Sequence, residues 1–206
     1  MKTYIKEING ISYSLTLEEE LYTQALILLS EIEKIGATVR DGYKIQIGFT
    51  VFTLNKQSHN EYTIAAPDYM KNPFNDTTTD LTLAFGIQFQ QLDILKTCGV
   101  GGEAVRFDDK IAVADNALNK EYISMQRFSD LGESGWCIEG LEKDDNGSFN
   151  CVSASEYKPY YAYQLLSIRP SIVWCLLLPY EYMVVFSGDN ILEILNENNE
   201  SLLNGV

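Results

Sequence analysis

Residues 131–140 read Leu-Gly-Glu-Ser-Gly-Trp-Cys-Ile-Glu-Gly, and the second half of the chain is organised around them. Trp136 is one of only two tryptophans among the 206 residues. A tryptophan on a short strand is a large apolar anchor, and the glycine before it lets other backbone approach closely. The stretch therefore predicts a core strand with its tryptophan buried. The alternative is that the acidic loop beside it forms a binding surface.

The chain is acidic, and the acidic residues are concentrated in its later part. The formal net charge is −14. Residues 1–60 carry 6 Lys and Arg against 7 Asp and Glu, a net charge of −1, whereas residues 61–206 carry 9 against 22, a net charge of −13. Nucleic-acid binding through phosphates needs a basic face, so this charge disfavours it. A basic protein partner, or simple solubility, fits the charge better.

Composition indicates a folded protein without a membrane segment. Hydrophobic residues make up 46% and aromatic residues 12%, which is ample for a packed core. The first residues contain no apolar signal core, and the longest apolar run, residues 172–179, is too short to span a bilayer. We therefore expect a cytoplasmic protein that does not enter the membrane.

The first 36 residues predict a hairpin followed by a helix. Asn9-Gly10 is a two-residue turn signal between two alternating runs. Thr16 is expected to cap the helix, with Glu19 completing a capping box. Apolar residues then repeat at helical spacing from Leu17 to Ile35. Such a stripe needs a partner, either the body of the protein or a second chain, so a homo-oligomer through the Leu17–Ile35 helix is one prediction.

The remaining patterns predict an α+β fold, with mainly antiparallel sheets and helices packed on them. Alternation predicts strands over residues 44–54, 61–66, 110–114, 121–127 and 136–141. Helical patterns cover about 80–98, 160–168 and 171–177. A final hairpin is expected around the turn at residues 187–190.

No arrangement of residues predicts catalysis, a metal or a cofactor. His59, the only histidine, is expected in a loop between strands, without a nucleophile beside it. Ser134 fails the Gly-x-Ser-x-Gly pattern of a nucleophile elbow because Trp136 occupies the last position. The cysteines lack the paired spacing that zinc needs, so buried free thiols are expected. They are Cys98, Cys137, Cys151 and Cys175.

Several motifs of the second half belong together. They are Lys110-Ile-Ala-Val-Ala114, Glu133-Ser-Gly-Trp-Cys-Ile138, Tyr163-Gln-Leu-Leu166 with Arg169-Pro170, and the run from Leu178 to Asp189. With them, roughly residues 100–197 resemble the immunity protein 33 family, small bacterial proteins associated with polymorphic toxin systems. Residues 44–100 are similar to the upstream half of longer relatives. The family usually has Asp where this chain has Glu133 before Ser-Gly-Trp.

The resemblance divides the chain into four expected parts. Residues 1–36 are a hairpin and helix extension, and residues 37–100 are an upstream α+β half. Residues 101–197 are the immunity-protein-like α+β half, and residues 198–206 are a frayed tail.

The resemblance implies a non-catalytic immunity protein that neutralises a cognate protein toxin by occlusion. An acidic surface would steer a basic toxin domain and speed association. The candidate partner-binding residues are Asp130, Glu133, Glu139, Glu142, Asp144 and Asp145. The alternative is a small-molecule-binding protein or an enzyme of unrecognised type. A deep pocket lined by acids or tyrosines with perturbed pKa values would indicate such a function.

Overall fold

The computed structural model describes residues 1–203, except for the side chain of Ala37. The chain forms two compact units, Met1–Gln90 and a second from Gln91 onward. Each unit has its own sheet, and most strand pairs are antiparallel. The predicted α+β class is confirmed.

The first unit holds a six-stranded sheet and helix α1 (Tyr22–Ile35). Its strands are β1 (Lys2–Ile8), β2 (Ile11–Leu17), β3 (Tyr43–Ile47), β4 (Thr50–Ser58), β5 (Glu61–Pro67) and β6 (Thr77–Thr78). The sheet order is β1-β2-β5-β4-β3, with β6 paired to β5. Because β2 pairs in parallel with β5, the N-terminal hairpin belongs to the same sheet as β3–β5.

The turn of the N-terminal hairpin forms as predicted. Asn9 and Gly10 both have positive φ, at 53° and 76°, which is the backbone that a two-residue hairpin turn requires. All seven residues of β1 pair with β2, from Lys2 opposite Leu17 to Ile8 opposite Ile11. The alternating pattern in both strands therefore becomes a complete antiparallel ladder.

The start predicted for α1 is wrong, although its apolar stripe is confirmed. Thr16 lies in β2, where its hydroxyl is 2.8 Å from that of Thr3, because the strand pairing extends through it. The α-helix begins only at Tyr22, after a short 3-10 turn, and ends at Gly36 with φ 59°. Part of the stripe packs into the unit's own core, and assembly of copies through the Leu17–Ile35 helix stays a prediction. The buried residues of the stripe are Ala25, Leu28, Leu29 and Ile32.

The long strand predicted over residues 44–54 is a hairpin instead. Gly48 has φ 53° and breaks the run, so β3 and β4 fold back on each other. The period-two alternation continues across the turn, which is why the sequence suggested one strand. Helix α2 (Thr82–Cys98) agrees with its prediction. Asp80 accepts a hydrogen bond from the Thr82 backbone N–H at 3.0 Å and caps it.

The second unit contains the end of α2, helix α3 (Pro170–Cys175) and a seven-stranded sheet. Its strands are β7 (Lys110–Ala114), β8 (Tyr122–Arg127), β9 (Trp136–Lys143), β10 (Phe149–Cys151), β11 (Tyr157–Tyr161), β12 (Met183–Ser187) and β13 (Asn190–Leu195). The order is β11-β7-β9-β8-β12-β13, with β10 paired to β9. Only β7 and β9 run parallel among these described strands.

The helix predicted over residues 160–168 is confirmed only in its later part, as a 3-10 helix, because its first two residues belong to β11. β11 is an edge strand paired with β7, and the chain continues as a 3-10 helix over Ala162–Ser167. Pro159 fits an edge strand because proline offers no N–H to a further strand. The final hairpin is confirmed, with β12 and β13 meeting at the predicted turn and a bulge between Val185 and Phe186.

The four-part division of the chain stays a prediction. Within its tail, the Leu202 N–H donates to Ile194 O at 2.8 Å, and residues 204–206 lie outside the described residues. Among residues 1–203, none of the helices combines the length and apolar composition needed to cross a membrane.

We predict that Leu28→Ala lowers the free energy of unfolding by about 2–5 kcal/mol, because Leu28 is fully buried in the core of the first unit. Leu26→Ala is the matched control on the same helix, since Leu26 is 48% exposed, and we expect a loss of about 0.5 kcal/mol or less. Urea unfolding followed by circular dichroism measures both. Equal losses would contradict the packing of α1 described above.

Candidate functional site

The sheet of the second unit has one core face and one open face. The core face is fully buried along its central strands, at Ile111, Ile123, Met125, Trp136, Ile138, Val184 and Phe186. The alternate residues on these strands point the other way. Strand registers align a row of them across the sheet: Pro159, Ala112, Cys137, Gln126, Met183 and Leu195. Each of these six residues keeps some exposure to solvent.

A second row lies beside the first. Glu139 is opposite Ser124, Ser124 is opposite Val185, and Val185 is opposite Glu193. We call these two rows together the open face. Its first row is partly exposed along its whole length, whereas in its second row the two glutamates flank Ser124 and Val185, which are buried at 7% exposure each. The first row is therefore the part of this face that is available for binding a partner.

Trp136 anchors the core face and is held by hydrogen bonds. Its indole Nε1–H donates to Leu176 O at 2.9 Å, just beyond α3. Ser134 donates its hydroxyl to Lys110 O at 2.6 Å and accepts the Trp136 N–H at 3.2 Å. The predicted buried tryptophan is confirmed. The serine hydroxyl is committed to backbone partners, so it has the geometry of a structural residue.

Arg127 lies buried beside this anchor and bonds three carbonyl oxygens. Its guanidinium donates to Ser134 O at 3.0 Å, Leu178 O at 2.7 Å and Glu103 O at 3.2 Å. It also lies 4.3 Å from the centre of the Tyr180 ring. Burial lowers the pKa of Arg127, while the nearby charges of Tyr180 and Glu103 act in the opposite direction. Its role is to hold the turn before β9 in place.

Gly135 sits where no other residue fits. Its φ is 76°, and a Cβ there would lie 2.6 Å from Phe128 O and 2.8 Å from the Tyr180 ring. The close approach follows from the Phe128 N–H donating to Gly135 O at 2.7 Å. The Ser-Gly-Trp motif is thus explained by packing of the turn against β8.

One hydrogen-bonded pair stands out on the open face. The Tyr157 hydroxyl on β11 donates to Glu139 on β9. This bond to the carboxylate, followed by burial, raises the pKa of Tyr157 to about 12. Tyr157 is 48% exposed, so the pair is accessible to a partner. It joins residues 18 positions apart, and the sequence did not predict it because Tyr157 was not expected on a strand of this sheet, in which β7 lies between β11 and β9.

The two thiols near this pair are poor nucleophiles. Burial, and then the charge of Glu139, raises the pKa of Cys137 to about 11. Burial and Glu139 also raise the pKa of Cys151. A thiol attacks as its thiolate, so both cysteines are largely unreactive at neutral pH. All four cysteines are free thiols as predicted, but only Cys175 is buried, while Cys98 and Cys137 are half-buried and Cys151 is exposed.

A cleft of about 330 Å³ opens between β11, the start of β7 and the turn before β9. Apolar surface comes from Leu131, Ala112 and Pro159, and Tyr157 also lines the cleft. Ile111 and Trp136 border it but are fully buried. Charged groups at the cleft are Lys110, Lys158 and Glu133. The cleft thus combines apolar walls with both signs of charge, and it adjoins the open face through Ala112 and Pro159.

The structure does not bring the six predicted acids together. Asp130 and Glu133 lie in the exposed turn before β9, and Glu133 lines the cleft. Glu139 is in the middle of β9, on the open face. The other three lie past the fifth residue of β9, about 20 Å from the turn at the rise of a β-strand. They are Glu142, Asp144 and Asp145.

The acids at the far end of β9 have local partners. Glu142 forms a 2.6 Å ion pair with Lys120. Asp144 accepts the N–H groups of Asn146 and Ser148, which closes the turn. Asp145 is exposed, and the binding role of all six acids stays a prediction. Within the described residues, no group of His, Cys, Asp and Glu has a metal-binding arrangement.

The sequence model of a protein family, the Imm33-like domain, matches residues 90–197 of the chain. The chain belongs to the Imm33-like family. The resemblance found in the sequence motifs is therefore confirmed, and the matched residues contain the open face, the cleft and Arg127. No curated protein and no solved structure matches the chain.

We predict that Gly135→Ala lowers the stability of this Imm33-like protein by about 2 kcal/mol or more, because an L-residue at φ 76° is strained and its Cβ meets backbone oxygen. Gly101→Ala is the control, since no atom lies within 4 Å of its added Cβ. Chemical denaturation compares the two. A Gly135→Ala protein as stable as the control would disprove the close packing at this turn.

We also predict slow alkylation of Cys137. At pH 8, a pKa of about 11 instead of 9.0 lowers the thiolate fraction about a hundredfold. Iodoacetamide labelling followed by peptide mass analysis measures the rate, with an unfolded sample as the reference. In the Glu139→Gln variant the rate rises only in part, because burial is the larger cause of the shift. Labelling of the folded protein at the unfolded rate would refute this assignment.

Proposed function

We propose that this Imm33-like protein is a cytoplasmic, non-catalytic immunity protein that neutralises a cognate protein toxin by occlusion. Family membership over residues 90–197 is the observation that carries the proposal. It is supported by the open face, which offers partly exposed apolar surface in the matched region. It is also supported by the chemistry of the thiols and Ser134, which are held in unreactive states.

The negative charge of this chain indicates that the proposed toxin is basic. The net charge of −13 over residues 61–206 favours a basic partner and accelerates its approach at low ionic strength. The turn acids Asp130 and Glu133 lie at the cleft end of β9, and Glu139 lies on the open face itself. In this proposal they contact the toxin, while Glu142, Asp144 and Asp145, which lie about 20 Å or more from the turn, contribute mainly to the long-range field.

The experiment uses the purified chain as bait in lysate of its own organism, washed at low and then high salt. We expect a basic protein that high salt releases. That protein, expressed alone in a heterologous host, should arrest growth, and co-expression of the Imm33-like chain should restore growth. A bound protein that is harmless when expressed, or growth arrest that the chain does not relieve, would refute the immunity function.

A matched pair of variants then tests the acids. Asp130→Asn with Glu133→Gln removes two charges beside the cleft, and we expect the association rate to fall about three- to tenfold at low salt. Glu20→Gln with Glu33→Gln removes the same charge from exposed sites of the first unit and is the control. Surface plasmon resonance measures both rates. Equal rates for the two variants would show that the turn acids are not at the interface.

The cleft supports a second candidate function, the binding of a small molecule. Its volume of about 330 Å³ falls in the range of ligand sites. Of the signs expected for such a site, the cleft has one tyrosine with a raised pKa, Tyr157, and one acid, Glu133. A compound that raises the melting temperature of the wild type, but not of an Ala112→Trp variant with a filled cleft, would favour this function over toxin binding.

A further inference from the structure

The outer edge of β1 is the longest open strand edge in the described residues. β1 ends its sheet and pairs with β2 alone over seven residues. The other edge strand of that sheet, β3, has five residues. In the second unit, β11 is blocked by Pro159, and β13 is bridged at Leu195 by Ser201. An unpaired edge of this length is a template for another strand.

Two hydrogen bonds show which β1 residues face the open edge. The Ser12 N–H donates to Asn60 O, so the main chain of Ser12 points away from β1. Thr16 O likewise accepts the N–H of Leu81. Their β1 partners, Glu7 and Thr3, therefore form non-hydrogen-bonded pairs with β2. It follows that the N–H and C=O groups of Thr3, Ile5 and Glu7 point outward.

The side chains of β1 leave part of this edge unprotected against pairing with another strand. Ile5 lies at its centre and is 74% exposed, an unusual position for a large apolar residue on a free edge. Lys2 is drawn back toward the unit by its 3.2 Å ion pair with Glu19. The opposite side of β1 is covered, because Tyr4 packs on Tyr22 of α1 at a ring distance of 4.4 Å. Leu26, one turn along α1 from Tyr22, is 48% exposed.

We propose that the partner at this edge is a second copy of the chain, paired antiparallel through β1. The two copies carry −14 each, so they repel over most of their surface. β1 itself adds no acid to this repulsion in excess of its lysines, because it carries Lys2, Lys6 and Glu7, a net charge of +1. The open edge thus combines free main-chain groups, an exposed apolar centre and no excess of acid.

Charge and the number of paired residues together select the register of this pairing. A two-fold axis must lie on a β1 residue for the outward main-chain groups to meet one another. Centring it on Tyr4 places Lys2 opposite Lys6 of the other copy, and centring it on Lys6 places two lysines face to face. Like charges directly opposite are destabilising. Centring it on Ile5 avoids both clashes and pairs all seven residues of the strand.

The Ile5 register also makes favourable pairs. The two Ile5 side chains meet at the axis, and Thr3 lies opposite Glu7 of the other copy on each side of it. These three pairs use outward groups and form about six main-chain hydrogen bonds. Lys6 lies opposite Tyr4, where the ammonium group can reach the ring face. The two six-stranded sheets become one continuous sheet across the axis.

Sedimentation equilibrium under reducing conditions tests the proposal over a range of protein concentrations. We expect a monomer–dimer equilibrium for the wild type and a monomer for Ile5→Lys, which places two charges at the axis. Met70→Lys is the control, because Met70 is also 74% exposed and lies in the same unit. It should dimerise like the wild type. A wild type that stays monomeric at about millimolar concentration, or a dimer unaffected by Ile5→Lys, would overturn the proposal.

A second pair of variants tests the register itself. Thr3→Lys and Thr3→Glu both lose the hydroxyl contact with Thr16, so they differ mainly in charge. Opposite Glu7, Thr3→Lys should tighten the dimer and Thr3→Glu should weaken it, each by about threefold or more since each change occurs twice. Equal dissociation constants for the two variants would overturn the Ile5 register. If the β1 edge instead binds a strand of a different protein, the chain should be a monomer in every one of these measurements.

Discussion

The second unit depends on one buried cation. Arg127 ends β8, and its guanidinium binds the carbonyl oxygens of Ser134, Leu178 and Glu103. Its backbone also accepts the N–H of Glu181 and donates to Tyr182 O. A buried guanidinium must have its donors satisfied, and carbonyl oxygens from separate loops are the partners here. Those loops are thereby fixed relative to β8, and the turn that leads into β9 is fixed with them. The position of Trp136, and of the cleft beside it, follows from this constraint.

Local sequence patterns correctly predicted the strands that have one buried and one exposed face. They gave wrong predictions where pairing with a distant strand determines the secondary structure. The strands β7, β8 and β9 alternate between core and open faces, so their period-two pattern is direct evidence of strand. Residues 157–161 are tyrosine-rich and contain a proline, and such a run is compatible with the first turn of a helix. Pairing with β7 makes it a strand, and that pairing involves residues more than 40 positions away. The helix cap predicted at Thr16 is wrong for the same reason, because pairing with β1 extends β2 through this residue.

The candidate site was predictable only in part. The sequence identified Trp136 and its turn because an aromatic residue between glycines is a strong local signal. It also identified the acidic residues, but it grouped all six as one charged face although the strand predicted over residues 136–141 separates the turn from the last three acids. The Tyr157–Glu139 pair had no sequence signal at all. It exists because β11, β7 and β9 are neighbours, and the order of strands in a sheet is a tertiary property.

Charge separates the two proposed interfaces along the chain. A highly acidic protein that must bind a basic partner also repels its own copies, so self-association and partner binding place opposite demands on the surface. In the two proposals these demands fall on different parts of the chain. Residues 1–60 are close to neutral and contain β1, whereas residues 61–206 carry nearly all the net charge and contain the open face. Pairing through β1 uses main-chain groups and one isoleucine, none of which contributes to the acidic field. Added salt should therefore strengthen the self-association while it weakens binding to a basic toxin, because screening removes repulsion from the first and attraction from the second.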